Sequence, residues 1–167
     1  KDINKNLKKI IKNLSLYNLA LSDKNQTIDL KIPIRDNNYN KKNYEEYFQM
    51  GKATIHYENK LDEFEVFKVQ TKKLDELNFN KKISFIKIDV EGHETEVIKG
   101  SENTIKINKP ILLVEIEEQY TQKKVLTTIN YINSLGYNCF FYQDNELKNI
   151  DNLSDLNLFN NYVFQPI

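Results

Sequence analysis

Apolar and polar residues recur at two periods along this chain of 167 residues, and the two periods alternate. From Asp2 to Leu14, Ile3, Leu7, Ile10, Ile11 and Leu14 fall at helical spacing among lysines and asparagines, which predicts an amphipathic helix packed on a sheet. Leu16 to Leu21 is short and apolar and reads as a buried strand, turned by Ser22-Asp23-Lys24-Asn25. Thr27 to Ile32 alternates as an exposed strand does, and residues 33–43 are polar and irregular. Lys52 to Tyr57 and Phe64 to Val69 alternate again and read as antiparallel pairs beside a main sheet. Ile83, Phe85, Ile86, Ile88 and Val90 predict the central strand, and Glu94 to Ile107 a single helix that buries Val97 and Ile98. Ile111 to Ile116 is a continuous apolar run of the kind buried on both faces in parallel sheets. Thr121 to Leu135 is helical by the spacing of Val125, Leu126, Ile129 and Ile132, and Gly136 stands where a capping glycine belongs. Tyr137 to Tyr142 and Tyr162 to Gln165 then complete the sheet as an antiparallel end pair. This order predicts an α/β fold with a mainly parallel sheet, an antiparallel C-terminal strand pair and helices on both faces. No repeat or long linker divides the chain, so residues 1–167 read as one domain.

Charge narrows the range of partners. Lysine plus arginine and aspartate plus glutamate number 24 each, so the balance predicts neither a nucleic-acid partner nor an anionic membrane surface. Arg35 is the only arginine, which removes the usual bidentate reader of phosphate and guanine. Cys139 is the only cysteine, and its place in the apolar run Tyr137-Asn-Cys-Phe-Phe-Tyr142 makes it a small core residue rather than a nucleophile. No apolar run approaches the roughly 18 residues that span a bilayer, and no signal peptide opens the sequence, so the expected location is cytoplasmic.

The densest chemistry lies between Phe85 and Gly100. The central strand delivers Asp89 and Glu91 to its carboxyl end, Gly92 turns the chain, and a helix begins near Glu94. Open α/β sheets bind ligands beyond the carboxyl ends of their parallel strands. Carboxylates placed there suit a metal ligand or a general base. The same residues also suit a bland role, with Glu91 and Glu94 complementing the helix dipole and Asp89 forming a turn. A right-handed crossover would set the strands ending at Asp89 and Glu115 side by side, about 5 Å apart. Asp89, Glu91 and Glu115 then share one edge, where oxygen ligands suit Mg²⁺. His93 adjoins these acids but is disfavoured as a cation at a helix N-terminus. His56 reads as a surface residue. Tyr39, Tyr44, Tyr47 and Phe48 either line an acceptor pocket or cap a hydrophobic edge.

The segment Lys87-Ile-Asp-Val-Glu-Gly-His-Glu94, followed by Glu96-Val-Ile-Lys-Gly100 and Pro110-Ile-Leu-Leu-Val-Glu-Ile116, resembles the signature of the FkbM family of class I S-adenosylmethionine-dependent methyltransferases. Upstream, Thr71-Lys-Lys-Leu-Asp-Glu-Leu77 is similar to the family's Thr-x-x-Leu-Asp segment, and Leu19-Ala-Leu-Ser-Asp23 to its Ala-Leu-Ser-Asp turn. The order and spacing of the four blocks agree. The resemblance implies a Rossmann-like methyltransferase sheet, S-adenosylmethionine as cofactor, and O-methylation of a sugar or small-metabolite hydroxyl on a small-molecule or glycan acceptor. It implies Asp89 as base or metal ligand, while the strand-end geometry adds Glu91 as a second candidate catalytic acid and Glu115 as a candidate metal ligand beside Asp89. Asp23 takes the position that contacts the adenine of the cofactor.

The family's Gly-rich turn and its ribose-binding acid have no counterpart here, since the four glycines, Gly51, Gly92, Gly100 and Gly136, are all isolated. The expectation is therefore an N-terminally truncated domain, the C-terminal two-thirds of the full fold, that holds the cofactor weakly or not at all. An inactive interaction domain and a metal-dependent glycosyltransferase using Asp89-Val-Glu91 are the alternatives. A phospho-acceptor receiver domain fits less well, for lack of an acidic pair near the first strand.

Overall fold

The computed structural model describes residues 11, 13–33, 64–116, 122–150 and 159–167. Almost all of the helix expected over 2–14 lies outside these residues. So do the strand expected over 52–57, His56 and the aromatic group Tyr39, Tyr44, Tyr47 and Phe48. Two sheets carry the described strands. In the smaller one, β1 (Ala20–Leu21) pairs in parallel with β3 (Phe64–Lys72). β3 also pairs antiparallel with β2 (Thr27–Pro33), in register from Thr27 opposite Gln70 to Pro33 opposite Phe64. Of the run from Leu16, only Ala20 and Leu21 enter the ladder.

The larger sheet has the order β4-β5-β8-β6-β7, with β4 (Phe85–Ile88), β5 (Ile111–Glu115), β6 (Tyr137–Gln143), β7 (Glu146–Asn149) and β8 (Asn161–Pro166). β4 and β5 are parallel neighbours, as expected, with Phe85 opposite Ile111 and Ile88 opposite Val114. The expectation of a mainly parallel sheet is corrected. β8 inserts antiparallel between β5 and β6, and β6 turns back antiparallel into β7, so the sheet is mixed. β6 and β8 do form an antiparallel pair, but inside the sheet and not at its end. Alternation of apolar residues looks the same in either strand direction, so the sequence pattern carried no information on this point. β7 had no apolar signal. It is produced by a two-residue turn in which Asp144 (φ 54°) and Asn145 (φ 65°) are both left-handed, the geometry that matches strand twist.

One face of this sheet is the core. Ile88, Leu112, Val114, Cys139, Tyr162 and Phe164 point to it and meet Val97 and Ile98 of α1 (Glu94–Lys99), Ile105 of α2 (Glu102–Asn108), and Val125, Ile129 and Ile132 of α3 (Gln122–Ser134). Burying each large side chain contributes about 1.5–3 kcal/mol. All described helices share this face, where helices on both faces were expected. On the other, Phe85 and Ile111 stay 54% and 40% exposed, so β5 is not the doubly buried strand its apolar run suggested.

The helix expected over 94–107 is two helices, and the break is made by a residue distant in sequence. The Gly100 carbonyl, which would accept the Thr104 N–H in a continuous helix, accepts the Asp75 N–H instead at 3.0 Å. The Asp75 carboxylate in turn takes the N–H groups of Asn103 (3.0 Å) and Thr104 (2.8 Å), so a residue of a distant 3₁₀ turn, Leu74–Glu76, caps α2.

Candidate functional site

Asp89 leaves β4 at its carboxyl end, one step beyond Ile88, and Glu115 ends β5 one step beyond Val114. The parallel register sets these acids on neighbouring strands, on the same side of the sheet as Lys87. Lys87 Nζ lies 2.9 Å from Asp89 Oδ2, and both side chains are about half exposed, at 50% and 43%. The hydrogen bond to Asp89 holds the Lys87 ammonium above its usual range, and the negative charge of Glu115 adds to it. The Lys87 ammonium thus pairs with Asp89 and feels the charge of Glu115. Among the described residues no group of three or more histidine, cysteine, aspartate or glutamate side chains is placed to hold a metal ion. Lys87 supplies a counter-charge at Asp89, and among the described residues no third such side chain joins Asp89 and Glu115 as a ligand for the expected Mg²⁺.

Beyond Asp89 the chain reverses through two left-handed residues, Glu91 (φ 49°) and Gly92 (φ 96°). Glycine adopts this conformation without cost, whereas Glu91 holds it at the expense of roughly 1–3 kcal/mol. Glu94, at the start of α1, is 2% exposed and accepts the Gly92 N–H on Oε1 at 2.7 Å, which closes the turn. Its hydrogen bond shapes the backbone of the turn, a role beyond the dipole complement expected of this acid. Glu91 is half-buried at the turn itself.

His93, 9% exposed, is drawn inward rather than toward Asp89. Its Nε2 lies 2.9 Å from Ser22 Oγ, and its Nδ1 lies 3.5 Å from Glu96 Oε2. This contact brings the Ser22-Asp23 turn after β1 beside the turn after β4, although the two strands belong to different sheets. Asp23 is half-buried, with Oδ1 at 3.3 Å from Ser22 Oγ.

The turn from Ser22 to Gln26 is fixed mainly by residues that sequence reasoning quoted only as part of a motif. The Thr71 hydroxyl accepts the Gln26 N–H at 3.0 Å and donates to the Lys24 carbonyl at 2.7 Å, while the Thr71 N–H donates to the Gln26 carbonyl at 2.8 Å. The Ser22 N–H donates to the Lys72 carbonyl at 2.9 Å, and Asn25 Oδ1 accepts the Lys73 N–H at 3.2 Å. The Asn25 side-chain amide also donates to Glu76. Gly100 presses on the turn from the other side, where an added Cβ would stand 2.0 Å from the Ser22 carbonyl oxygen. The fixed spacing from Thr71 to Asp75 was the available signal. One face of that segment holds the turn and the other caps α2.

Cys139 lies in the core, with burial pushing its thiol up to about 12, as its apolar setting predicted. Among the described residues no helix is long and apolar enough to cross a membrane.

A family profile described as the methyltransferase FkbM domain matches residues 2–139 of the chain. Among solved structures, the crystal structure of methyltransferase FkbM from Methylobacillus flagellatus KT is similar at 20% identity and a TM-score of 0.42. That match covers 59% of this chain and 23% of the other protein, so the chain aligns with about a quarter of that protein's length. A comparison with curated proteins found no match.

Proposed function

Because the chain belongs to the FkbM methyltransferase family, we propose that it serves the transfer of a methyl group from S-adenosylmethionine to a hydroxyl oxygen of a sugar or other small acceptor. The observation that carries this reading is the placement of Asp89 at the end of β4, beside Glu115 at the end of the parallel strand β5. S-adenosylmethionine would supply the electrophilic methyl group and leave as a neutral thioether.

Asp89 takes the hydroxyl proton as the new carbon–oxygen bond forms, and so acts as general base. The ion pair with Lys87 holds the Asp89 carboxylate in place, while Glu115 and Glu91 orient the acceptor hydroxyl. Asp23 accepts a hydrogen bond from the adenine amino group, on a turn that Thr71 and Asn25 have already ordered. Alignment of the acceptor oxygen with the methyl group supplies much of the rate, since positioning alone can remove several kcal/mol of the barrier.

The test is a titration with S-adenosylmethionine followed by amide chemical shifts, which detects weak complexes as well as tight ones. Shifts at Ser22 to Asn25 and at Asp89 to His93 are expected. No response at saturating cofactor, or a response confined to the β6–β7 hairpin, overturns the reading. Transfer of an isotope-labelled methyl group to a panel of sugars and small alcohols then identifies the acceptor.

A further inference from the structure

Methyl transfer as described uses Asp89 and Glu115 and makes no use of the residues that continue their row across the sheet. One step beyond Ile88 opposite Val114, the parallel register sets Asp89 against Glu115. Glu115 stands opposite Asn161 in β8. One step beyond Phe141 opposite Tyr162, Asn161 faces Tyr142 in β6, and Tyr142 stands opposite Leu147 in β7. Each strand of the sheet thus gives one residue to a single row, about 20 Å long at the usual strand spacing. Side chains alternate between the two faces, and the preceding or following residues Ile88, Val114, Tyr162 and Phe141 are buried in the core. The row therefore lies on the face turned away from the described helices. Tyr142 is 60% and Leu147 41% exposed there, and Asn161 is exposed as well. The Tyr142 hydroxyl donates to Asn145 Oδ1 at 3.3 Å, which ties the phenol to the β6–β7 turn.

The chemistry of the row changes along its length. Beside Asp89 come a carboxylate and a carboxamide, which exchange hydrogen bonds with hydroxyl groups. At the far end come an aromatic ring and an isobutyl group, which take apolar C–H surface. A saccharide carries both kinds of surface, with hydroxyls around the rim of each ring and C–H groups on its faces. A small aliphatic alcohol covers Asp89 and Glu115 and reaches no further, since Tyr142 lies three strand spacings, about 15 Å, from Asp89.

We propose that this row is an acceptor subsite for a saccharide of two or more rings, in which Asn161 bonds ring hydroxyls and Tyr142 stacks on a ring beyond the one that is methylated. The proposal deepens the functional reading above and rests on it for the reaction at Asp89. Asn161 and Tyr142 set specificity and take no part in proton transfer.

NMR titrations of the full chain test it, with maltotriose, mannotriose, galactotriose and triacetylchitotriose as probes. At least one should shift the Asn161 side-chain amide and the Tyr142 ring, and its monosaccharide should bind about tenfold more weakly. If none of the four shifts these groups, or if the monosaccharide binds as tightly, the proposal is overturned. Tyr142→Ala and Asn161→Ala should each weaken binding of the responding trisaccharide about fivefold to tenfold, the scale of one aromatic contact or one hydrogen bond. Melting temperatures should stay nearly unchanged, since both side chains are exposed. Tyr142→Phe keeps the ring and should recover the loss, and equal binding by all three variants and the unaltered chain also overturns the subsite. S-adenosylmethionine shifts at Ser22 to Asn25 report on the cofactor separately. Their absence, with the saccharide shifts intact, strikes the methyl-transfer reading and supports the subsite, and cofactor shifts without saccharide shifts strike the subsite alone.

Discussion

The α-carbon of Gly100 approaches the Ser22 carbonyl so closely that a Cβ would stand 2.0 Å from its oxygen. The φ of Gly100 is an ordinary −72°, so this glycine is required by proximity and not by backbone conformation. Gly100→Ala must push the Ser22 turn away from α1. Destabilisation of about 1–3 kcal/mol is expected, on the scale of overpacking in a tight interior, and equilibrium urea unfolding reads it directly. An unchanged midpoint would mean that the turn moves freely.

Asp75 caps α2 from outside the helix through two N–H groups. Asp75→Ala leaves both donors unsatisfied and should cost about 1–2 kcal/mol, as loss of a helix cap does. Asp75→Asn, which retains an acceptor oxygen, should recover part of that loss. Denaturant titration of the two variants side by side checks the order.

Asp89 sits at a half-exposed strand end and bonds to Lys87 alone among the hydrogen bonds resolved for its side chain. Asp89→Asn keeps the shape and removes the basic carboxylate. Methyl transfer should fall by about 10²-fold or more, with melting temperature nearly unchanged. The opposite pattern, normal turnover per folded molecule with a lower melting temperature, would make Asp89 a structural residue. Lys87→Met should reduce turnover as well, by leaving the neighbouring acids without their counter-charge.

Stability is expected to decline at alkaline pH through Tyr131 and Cys139. Desolvation raises Tyr131 from 10.0 to about 12, with its hydrogen bond to Glu102 acting in the same direction, and burial raises Cys139 from 9.0 to about 12. Both folded values lie above the unfolded ones, so the protonated forms contribute stability that is complete below pH 9. That contribution is lost as pH climbs from about 9 to about 12, because the unfolded chain ionises first. Tyr131→Phe and Cys139→Ala should each flatten part of this decline in a pH series of melting temperatures.

On the acid side Glu102 runs the other way. Its hydrogen bond to Lys106, and then that to Tyr131, lower its pKa below the ordinary 4.5. Its contribution is present above pH 4.5 and is lost as pH falls through the lowered folded value. The group is near the surface, so a small effect is expected, one that Glu102→Gln abolishes and added salt weakens.

Cys139 offers a separate check on the core. A thiol 9% exposed and held protonated should resist a thiol-specific reagent in the native protein and react once urea unfolds it. Rapid labelling without denaturant would contradict the packing of β6 on α3.

Much of this protein could be read from its residues. The apolar periods located β2, β3, β4, β5, β6, β8 and α3, and the motif from Lys87 to Gly100 carries the likeness to the family. Those features are local, since a period of two or near four and a turn glycine act within a few residues of chain. The parallel pairing of β4 with β5 also followed, because a helical crossover leaves few other arrangements. What the sequence could not decide depends on partners far along the chain. Strand direction is silent in an alternating pattern, which hid the insertion of β8 between β5 and β6. The split of α1 from α2 needs the Asp75 N–H and carboxylate, more than 20 residues away, to outbid the intrahelical bonds. His93 looked like a neighbour of the acids in sequence, yet Ser22, 71 positions distant, draws it inward. Asp89 and Glu115 lie on separate strands, and only the parallel pairing of β4 with β5 sets them on neighbouring strands. Residue type and spacing set the local elements and the possible chemistry, and long-range hydrogen bonds and charges selected among the possibilities.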